Sequence, residues 1–243
     1  MVGHSVITIV GVGHVFDIKD QVREIVIGQM PGAVAVELDP SRYYAIQHPQ
    51  APRNLPPTYR ILSHFQKRLA KDFGGELGSE MISAIDAAKE IGVEALLIDA
   101  DASTLFNQIW KEMPLKERVL LFFSAITSLF ASKKKVEEEL ERFSENEEAY
   151  LDQFGASFPT LKKVLIDDRN RLMAARLADA EAKHGSVVAI VGDGHVEGIS
   201  ALLAPRSLNI IRLKQLLSGD FPRRKFEVKK GGSEVSFQFS YDR

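Results

Sequence analysis

Two histidines occupy the same position in a phrase that the chain contains twice, and imidazole is a side chain that binds metals and moves protons near neutral pH. Residues 11–18 read GVGHVFDI and residues 192–199 read GDGHVEGI, so both follow the pattern GxGHVxxI and supply His14 and His195. A β-branched run precedes each copy, and a segment with helical spacing follows it. The sequence therefore predicts, twice, a buried strand, a glycine turn, a histidine and a helix start.

A metal site is one function that this repeated pattern predicts. If the two strands are neighbours in a parallel sheet, both histidines lie at its carboxyl edge, where open α/β sheets bind ligands. Glu37 ends the next predicted strand, and imidazole together with carboxylate suits zinc, manganese, cobalt or iron. His14, Glu37 and His195 are therefore candidate ligands. The alternative is that the glycines permit tight turns and each histidine is a hydrogen-bonded structural group.

Other charged residues near these strands are candidates for supporting roles. Asp39 directly precedes Pro40, which favours it as a helix cap and leaves Glu37 available for chemistry. Arg169 belongs to the predicted helix that leads into the second histidine strand, where it can polarise a carbonyl or hold a carboxylate. On charge pattern alone, an arginine in this position is more often a surface residue. Asp17 is expected to cap the first helix.

A dinucleotide site is the competing interpretation of the first glycine turn. Gly11 and Gly13 follow a strand and open a helix, and the acidic Glu37 ends the next strand, as in a Rossmann fold. The third glycine position holds Phe16, however, and the His14 ring stands where a diphosphate needs bare backbone. Dinucleotide binding is therefore disfavoured.

Composition narrows the classes of function further. The 243 residues contain no cysteine, which excludes disulfides, zinc–thiolate sites and thiol nucleophiles. The formal net charge of −2 has both signs interspersed, and this argues against nucleic acid as the main partner. No basic, apolar, small-residue signal pattern opens the chain, so we expect a soluble cytoplasmic protein.

The predicted elements assemble into an α/β fold with a central, mostly parallel sheet built from both chain ends and a large helical insertion. Residues 1–98 plus 186–243 form the α/β core in this prediction, and residues 99–185 form a helical insertion or cap. A helix is expected at about residues 59–73, and a terminal hairpin is expected near residues 226–241.

An apolar stretch over residues 119–131 lies within that helical region. It is shorter than the roughly 20 residues that span a bilayer. It therefore predicts a core or oligomer-interface helix, with contact to a membrane surface as the alternative. We expect a homo-oligomer formed through residues 115–145.

Four motifs in order resemble the TraB/PrgY family of pheromone-shutdown proteins, which is related to GumN and to the Tiki proteases. They are the GVGH turn, PGAVAVELDPSRY at 31–43, IDDRNRLMA at 166–174 and VGDGHVEGI at 191–199. The resemblance implies that His14 and His195 are the histidines of two GxxH motifs and that Glu37 is the motif glutamate. It also assigns Arg42 and Arg169 to the site. The usual first motif of the family is Gly-Thr-Ala-His. In this chain, Val12 and Gly13 stand at the positions of its Thr and Ala.

The family resemblance implies a reaction on small peptides. The Tiki branch implies a divalent-metal-dependent peptidase, with manganese or cobalt favoured, and the pheromone-shutdown branch implies inactivation or sequestration of a peptide. The leading hypothesis is hydrolysis assisted by a manganese, cobalt or zinc ion, with Glu37 as ligand or general base and Arg169 at the developing oxyanion. Peptide capture without cleavage competes with it. Metal-free ester hydrolysis with a histidine base is a third, weaker reading.

Overall fold

The computed structural model describes residues 6–13, 16–48, 78–128, 147–222, 224–231 and 234–241, with the backbone alone at 125–128, 147–151 and beyond 223. His14 and the helix predicted at residues 59–73 lie outside the described residues.

A five-stranded sheet forms the centre of the described part of the chain. Its strands are β1 (Val6–Val12), β2 (Ala33–Val36), β3 (Glu94–Leu97), β4 (Ser186–Gly192) and β5 (Leu208–Ile211). They are all parallel and follow the order β3-β2-β4-β1-β5. Strands from both chain ends therefore share one sheet, which confirms the predicted α/β class.

Helices connect these strands and cover the sheet. They are α1 (Lys19–Gln29), α2 (Pro40–Gln47), α3 (Ser79–Glu90), α4 (Ala102–Glu112), α5 (Leu115–Ser128), α6 (Glu147–Ser157), α7 (Pro159–Lys162), α8 (Asp168–His184), α9 (Asp193–Leu203) and α10 (Leu213–Ser218). A π-helical turn over Lys163–Asp167 joins α7 to α8. Helix α1 has Ile18 at its N-cap and no side-chain cap, so the expectation that Asp17 caps it is wrong.

The two strands that precede the glycine phrases are direct neighbours. Their register pairs Val6 with Ser186 at one end and Val12 with Gly192 at the other. The inner strands β1, β2 and β4 are buried almost throughout, as expected for parallel strands covered on both faces. The two phrases therefore leave the sheet side by side at its carboxyl edge.

Opposite faces of the sheet carry separate hydrophobic cores. The helix after β1, α1, contributes Val22 and Ile25 to one core, whereas the helix after β4, α9, contributes Val196 and Ile199 to the other. The chain thus leaves two adjacent strands toward opposite faces. This arrangement is the topological switch point at which open α/β sheets form a ligand crevice.

Helix α8 also belongs to the layer that covers the sheet. Its Met173 and Leu177 are fully buried in the core that contains β4 side chains. The division into a core and an inserted cap over residues 99–185 stays a prediction, and the packing of α8 connects the end of that segment to the sheet.

The last strands form the expected hairpin. Strand β6 (Arg224–Gly231) pairs antiparallel with β7 (Glu234–Tyr241). Among the described residues, no helix combines the length and apolar character needed to cross a membrane.

Candidate functional site at the carboxyl edge

Four of the five sequence-predicted site residues lie together at the carboxyl edge of the sheet. Glu37 directly follows β2, and His195 lies in the first turn of α9, just after β4. Arg42 comes from α2 and Arg169 comes from the start of α8. The fifth residue, His14, lies outside the described residues, so its position relative to this group stays a prediction.

Glu37 is a buried carboxylate with contacts at both oxygens. Its Oε2 accepts a hydrogen bond from the Gly192 backbone N–H at 2.6 Å, which links the ends of β2 and β4. Its Oε1 accepts from Nη2 of Arg169 and lies 3.5 Å from Nε2 of His195. The Glu37 side chain is only 5% exposed, so water does little to screen these interactions.

His195 is oriented by an amide on the neighbouring helix. Its Nδ1 lies 2.6 Å from Oδ1 of Asn170 in α8, so Nδ1 carries the proton that is donated to this oxygen. A neutral His195 then presents the lone pair of Nε2 toward Glu37. This is the arrangement in which metal-binding histidines are held, with one nitrogen tied to a hydrogen-bond acceptor and the other available as a ligand.

Gly198 makes the contact between Asn170 and His195 possible. A Cβ atom at Gly198 would lie 2.2 Å from Nδ2 of Asn170, far inside contact distance. The last glycine of the second phrase therefore lets α8 and α9 approach closely enough for the Asn170 amide to reach the His195 ring.

Asp99 is the central acceptor of the network, and its side chain is fully buried. It accepts from Nε and Nη2 of Arg169 at 2.8 and 2.7 Å and from Nη2 of Arg42. The Ala100 backbone N–H donates to it at 2.7 Å, and Arg176 Nη1 donates to its backbone carbonyl at 2.8 Å. Asp99 thereby binds three arginines just past the end of β3, two through its carboxylate and one through its backbone carbonyl.

All three guanidinium nitrogens of Arg169 donate hydrogen bonds within the protein. Besides Asp99 and Glu37, it donates from Nη1 to the Leu165 carbonyl at 3.0 Å. Burial lowers the pKa of Arg169, but the carboxylates of Asp99 and Glu37 outweigh it, so the net pKa is raised above the usual value. Arg169 is thus held by acceptors of the protein itself, and its predicted role at the oxyanion stays a prediction.

Arg42 completes the network nearer to solvent. It donates from Nε to Oδ2 of Asp39 at 2.5 Å, and its side chain is 38% exposed. Burial lowers the pKa of Arg42, but Asp99 and Asp39 outweigh this effect and raise the net pKa. Asp39 also caps α2 through the backbone N–H groups of Ser41 and Arg42, as the sequence predicts.

The end of β1 packs closely against Asp193 of the second phrase. A Cβ atom at Gly11 would lie 2.0 Å from Oδ1 of Asp193, and this carboxylate also accepts from Arg212 Nε at 3.0 Å and the Leu213 N–H at 2.9 Å. The carboxylate of the second phrase therefore fills the space that a side chain at position 11 would need. The argument against dinucleotide binding stays a prediction from the sequence.

Ion pairs hold the charged side chains of the network together. Three carboxylates pair with two guanidiniums, from Glu37, Asp39, Asp99, Arg42 and Arg169. A third guanidinium, that of Arg176, contacts the Asp99 backbone carbonyl beside them.

The separation of His195 and Glu37, two of the three proposed metal ligands, suits binding to one ion. Bond lengths of about 2.1 Å place two ligand atoms of a tetrahedral ion about 3.4 Å apart, close to the separation of Nε2 and Oε1. Within the described ranges, no three histidine or acidic side chains are grouped as a metal site. The third proposed ligand, His14, is not among those residues.

Two members of the network were not singled out from the sequence. Asp99 lies two residues after the end of β3, and Glu37 directly follows β2, so an acidic residue close to a strand end was the available signal. Asn170 belongs to the IDDRNRLMA motif, and the motif alone does not indicate a role for it. Its contact with His195 joins residues 25 apart on different helices, which local spacing does not reveal.

Comparison with known proteins places this edge within one family. The model of the TraB/PrgY/gumN family matches residues 3–206 and so includes every residue of the network. The uncharacterized protein MJ1365 of Methanocaldococcus jannaschii is 31% identical over 238 residues, which cover 92% of this chain and 59% of the relative. The chain therefore spans about three fifths of the length of this curated relative.

Proposed function

The chain belongs to the TraB/PrgY/gumN family, and from this premise we propose that it is a divalent-metal-dependent hydrolase of small peptides. The observation that carries the proposal is the pairing of His195 and Glu37. One nitrogen of His195 is tied to Asn170, and the other lies 3.5 Å from a buried carboxylate oxygen. Both residues lie at the switch point of the sheet, where such folds bind ligands.

In this proposal, Nε2 of His195 and Oε1 of Glu37 hold the ion together with His14. A bound divalent ion supplies Lewis-acid polarisation of a carbonyl and lowers the pKa of water toward neutrality. The low exposure of both side chains strengthens their hold on a cation, because fewer water dipoles compete with them.

The surrounding residues fix the orientation of these two groups. Asn170 keeps the His195 ring turned so that Nε2 points toward Glu37. Gly192 and Arg169 hold the two oxygens of Glu37. Because the supporting groups are already paired within the protein, the site needs little reorganisation during the reaction.

Peptide hydrolysis places a water oxygen on the carbonyl carbon and the proton of that water on the leaving amine as the carbon–nitrogen bond breaks. Glu37 is the carboxylate at this edge that can carry the proton, if the two histidines hold the ion without it. The partly exposed Arg42 is the guanidinium that can contact a peptide carbonyl or carboxylate.

Peptide cleavage under metal control tests the proposal. The protein is stripped with a chelator, incubated with a mixture of synthetic peptides, and supplied separately with manganese, cobalt or zinc. Mass spectrometry of the peptides is expected to detect cleavage products after addition of manganese or cobalt and none in the chelator.

Two histidine variants provide the matched comparison. His195→Gln is expected to abolish cleavage, whereas His184→Gln, at the other end of β4, is expected to retain it. Intact peptide recovered in stoichiometric complex with the metal-loaded protein would contradict hydrolysis and favour sequestration. Cleavage that persists in a strong chelator would contradict the metal and favour a histidine base.

A further inference from the structure

Helix α5 carries an exposed apolar stripe, which we define as Leu115, Val119, Phe122 and Phe123. Leu115 is 73% exposed, Phe122 is 63% exposed and Phe123 is 60% exposed. Their spacing of four, three and one residues places them on one face of the helix. This part of the apolar stretch at residues 119–131 is therefore not a core segment.

The opposite face of α5 holds the helix to the protein. Buried Glu117 accepts the backbone N–H groups of Thr160 at 2.9 Å and Leu161 at 3.3 Å, at the start of the helical run that leads into α8. Leu121 packs against a small core that includes Leu161 and Val164. The attachment of this face fixes the apolar stripe on the outer side of the helix.

Positive charges border the apolar stripe on both sides. At 100° per residue, exposed Lys116 lies on one flank and exposed Arg118 lies on the other. The Nε and Nη2 atoms of Arg118 donate to the backbone carbonyls of Met113 and Trp110, which leaves Nη1 to face outward contacts. Glu117 is the one acidic residue in the α5 sequence, and it faces the protein. Trp110 of α4 lies beside the second flank, with its ring 5.4 Å from the Arg118 guanidinium.

We propose that the apolar stripe of α5 rests in the surface of an anionic lipid membrane, with Lys116 and Arg118 against the lipid phosphates. Helices that lie in the membrane interface combine an apolar face with flanking Lys and Arg and with aromatic rings. The attachment of Glu117 to the protein leaves the helix parallel to such a surface, with its outer face toward the lipid.

A second copy of the chain suits this face less well. Two-fold pairing of α5 through the stripe, whether parallel or antiparallel, brings a cation from each copy to each border of the interface. Like charges at both borders of an interface are unfavourable, whereas anionic lipid complements them. The proposal does not depend on the proposed peptidase activity, because it uses a different face and different residues.

Vesicle binding tests this proposal, and the chain contains its own probe. Trp110 is the single tryptophan, so its fluorescence reports on this face alone. The full chain is titrated with vesicles of phosphatidylcholine and with vesicles that also contain phosphatidylglycerol. We expect a blue shift and co-sedimentation with the anionic vesicles, both weakened by added salt.

Variants separate the apolar and charged contributions. Phe122→Asp with Phe123→Asp is expected to weaken binding to anionic vesicles at least about tenfold. Lys116→Glu is expected to weaken it about tenfold without changing the faint binding to phosphatidylcholine. Leu217→Asp, at an apolar side chain of α10 that is 51% exposed, is the matched control and is expected to bind like the parent protein.

Three outcomes would overturn the proposal. The first is the absence of binding to anionic vesicles. The second is binding that the Phe122 and Phe123 substitutions leave unchanged in a protein whose circular dichroism shows it folded. The third is a concentration-dependent doubling of mass, abolished by the same substitutions, in a protein that does not bind vesicles. That last result would assign the apolar stripe to a dimer.

Discussion

Each end of strand β4 has a histidine next to a glutamate, yet the two ends of the sheet are built differently. At the carboxyl edge, Nε2 of His195 lies 3.5 Å from Glu37, and at the amino edge Nε2 of His184 lies 3.3 Å from Glu94. The Glu37 side chain is 5% exposed and the Glu94 side chain is 50% exposed. Residue types and separations are nearly the same, so burial is what distinguishes the two pairs.

The basic residue beside each histidine–glutamate pair also differs in its exposure to solvent. Lys183 lies 3.1 Å from Glu94 with a side chain that is 67% exposed, and water screens this contact. Arg169 is 12% exposed and joins Glu37 to Asp99 through several donated hydrogen bonds. The presence of His and Glu alone therefore does not define a site. The carboxyl edge is the candidate site because its residues form a buried, mutually oriented network.

The largest difference between the two edges is expected in the free energy of unfolding, after substitution of Arg169 and of Lys183. Arg169→Met leaves buried Glu37 without its guanidinium partner and leaves Asp99 with Arg42 alone, and it is expected to cost about 3–5 kcal/mol in the free energy of unfolding. Lys183→Met removes a surface pair and is expected to cost no more than about 1 kcal/mol. Urea denaturation of both variants measures the difference, and equal costs would mean that the carboxyl-edge network is no tighter than a surface ion pair.

The next largest effect is expected in metal affinity, after substitution of Gly198. Gly198→Ala pushes the Asn170 amide away from the His195 ring, because the new methyl group would lie 2.2 Å from Nδ2. Loss of this orienting hydrogen bond is expected to weaken manganese or cobalt affinity about 10–100-fold.

An Asn170→Ala background provides the control for that substitution. Once the amide is gone, Gly198→Ala has little left to displace, so it is expected to change metal affinity by less than about twofold. Equal losses in both backgrounds, measured by metal titration, would show that Gly198 does not act through Asn170.

The smallest effect is expected in the free energy of unfolding, after substitution of the partly exposed Asp101 near the carboxyl edge. Asp101 caps α4, and hydrogen bonds from the Ser103 hydroxyl and the Thr104 backbone N–H lower its pKa to about 2. Asp101→Ala is expected to cost about 1 kcal/mol in unfolding free energy at neutral pH.

The pH dependence of that cost follows from the lowered pKa. Because the folded protein binds the proton more weakly than the unfolded chain, the contribution of Asp101 is complete above about pH 4 and is lost as the pH falls through about 2. Stability curves of the parent protein and the variant should therefore converge at low pH. A gap that stays constant down to pH 2 would rule out the titration of Asp101 as its cause.

The fold and part of the site follow from the sequence, because their signals are local. A β-branched run, a glycine turn and a helical segment each occupy a few consecutive residues, and their repetition predicts neighbouring parallel strands. The cap at Asp39 also depends only on adjacent residues.

The connections of the network depend instead on tertiary packing. Arg169 lies 132 residues from Glu37 and 70 from Asp99, so no local spacing links them. The charge pattern of the sequence favours a surface position for Arg169, and only the close approach of α8 to the ends of β2 and β3 brings it into the network. The same holds for Gly198, which reads as an ordinary helix glycine until the Asn170 amide is found against it.

Cobalt titration of three proteins tests the central claim most directly, namely that His195 and Glu37 hold a divalent ion at the carboxyl edge. The parent protein, His195→Gln and His184→Gln are titrated with cobalt after chelator treatment, and the visible absorption of the bound ion is recorded. We predict saturable binding by the parent protein and by His184→Gln, and a loss of at least about 100-fold in affinity for His195→Gln. Equal cobalt binding by all three proteins, or by none of them, would contradict the account.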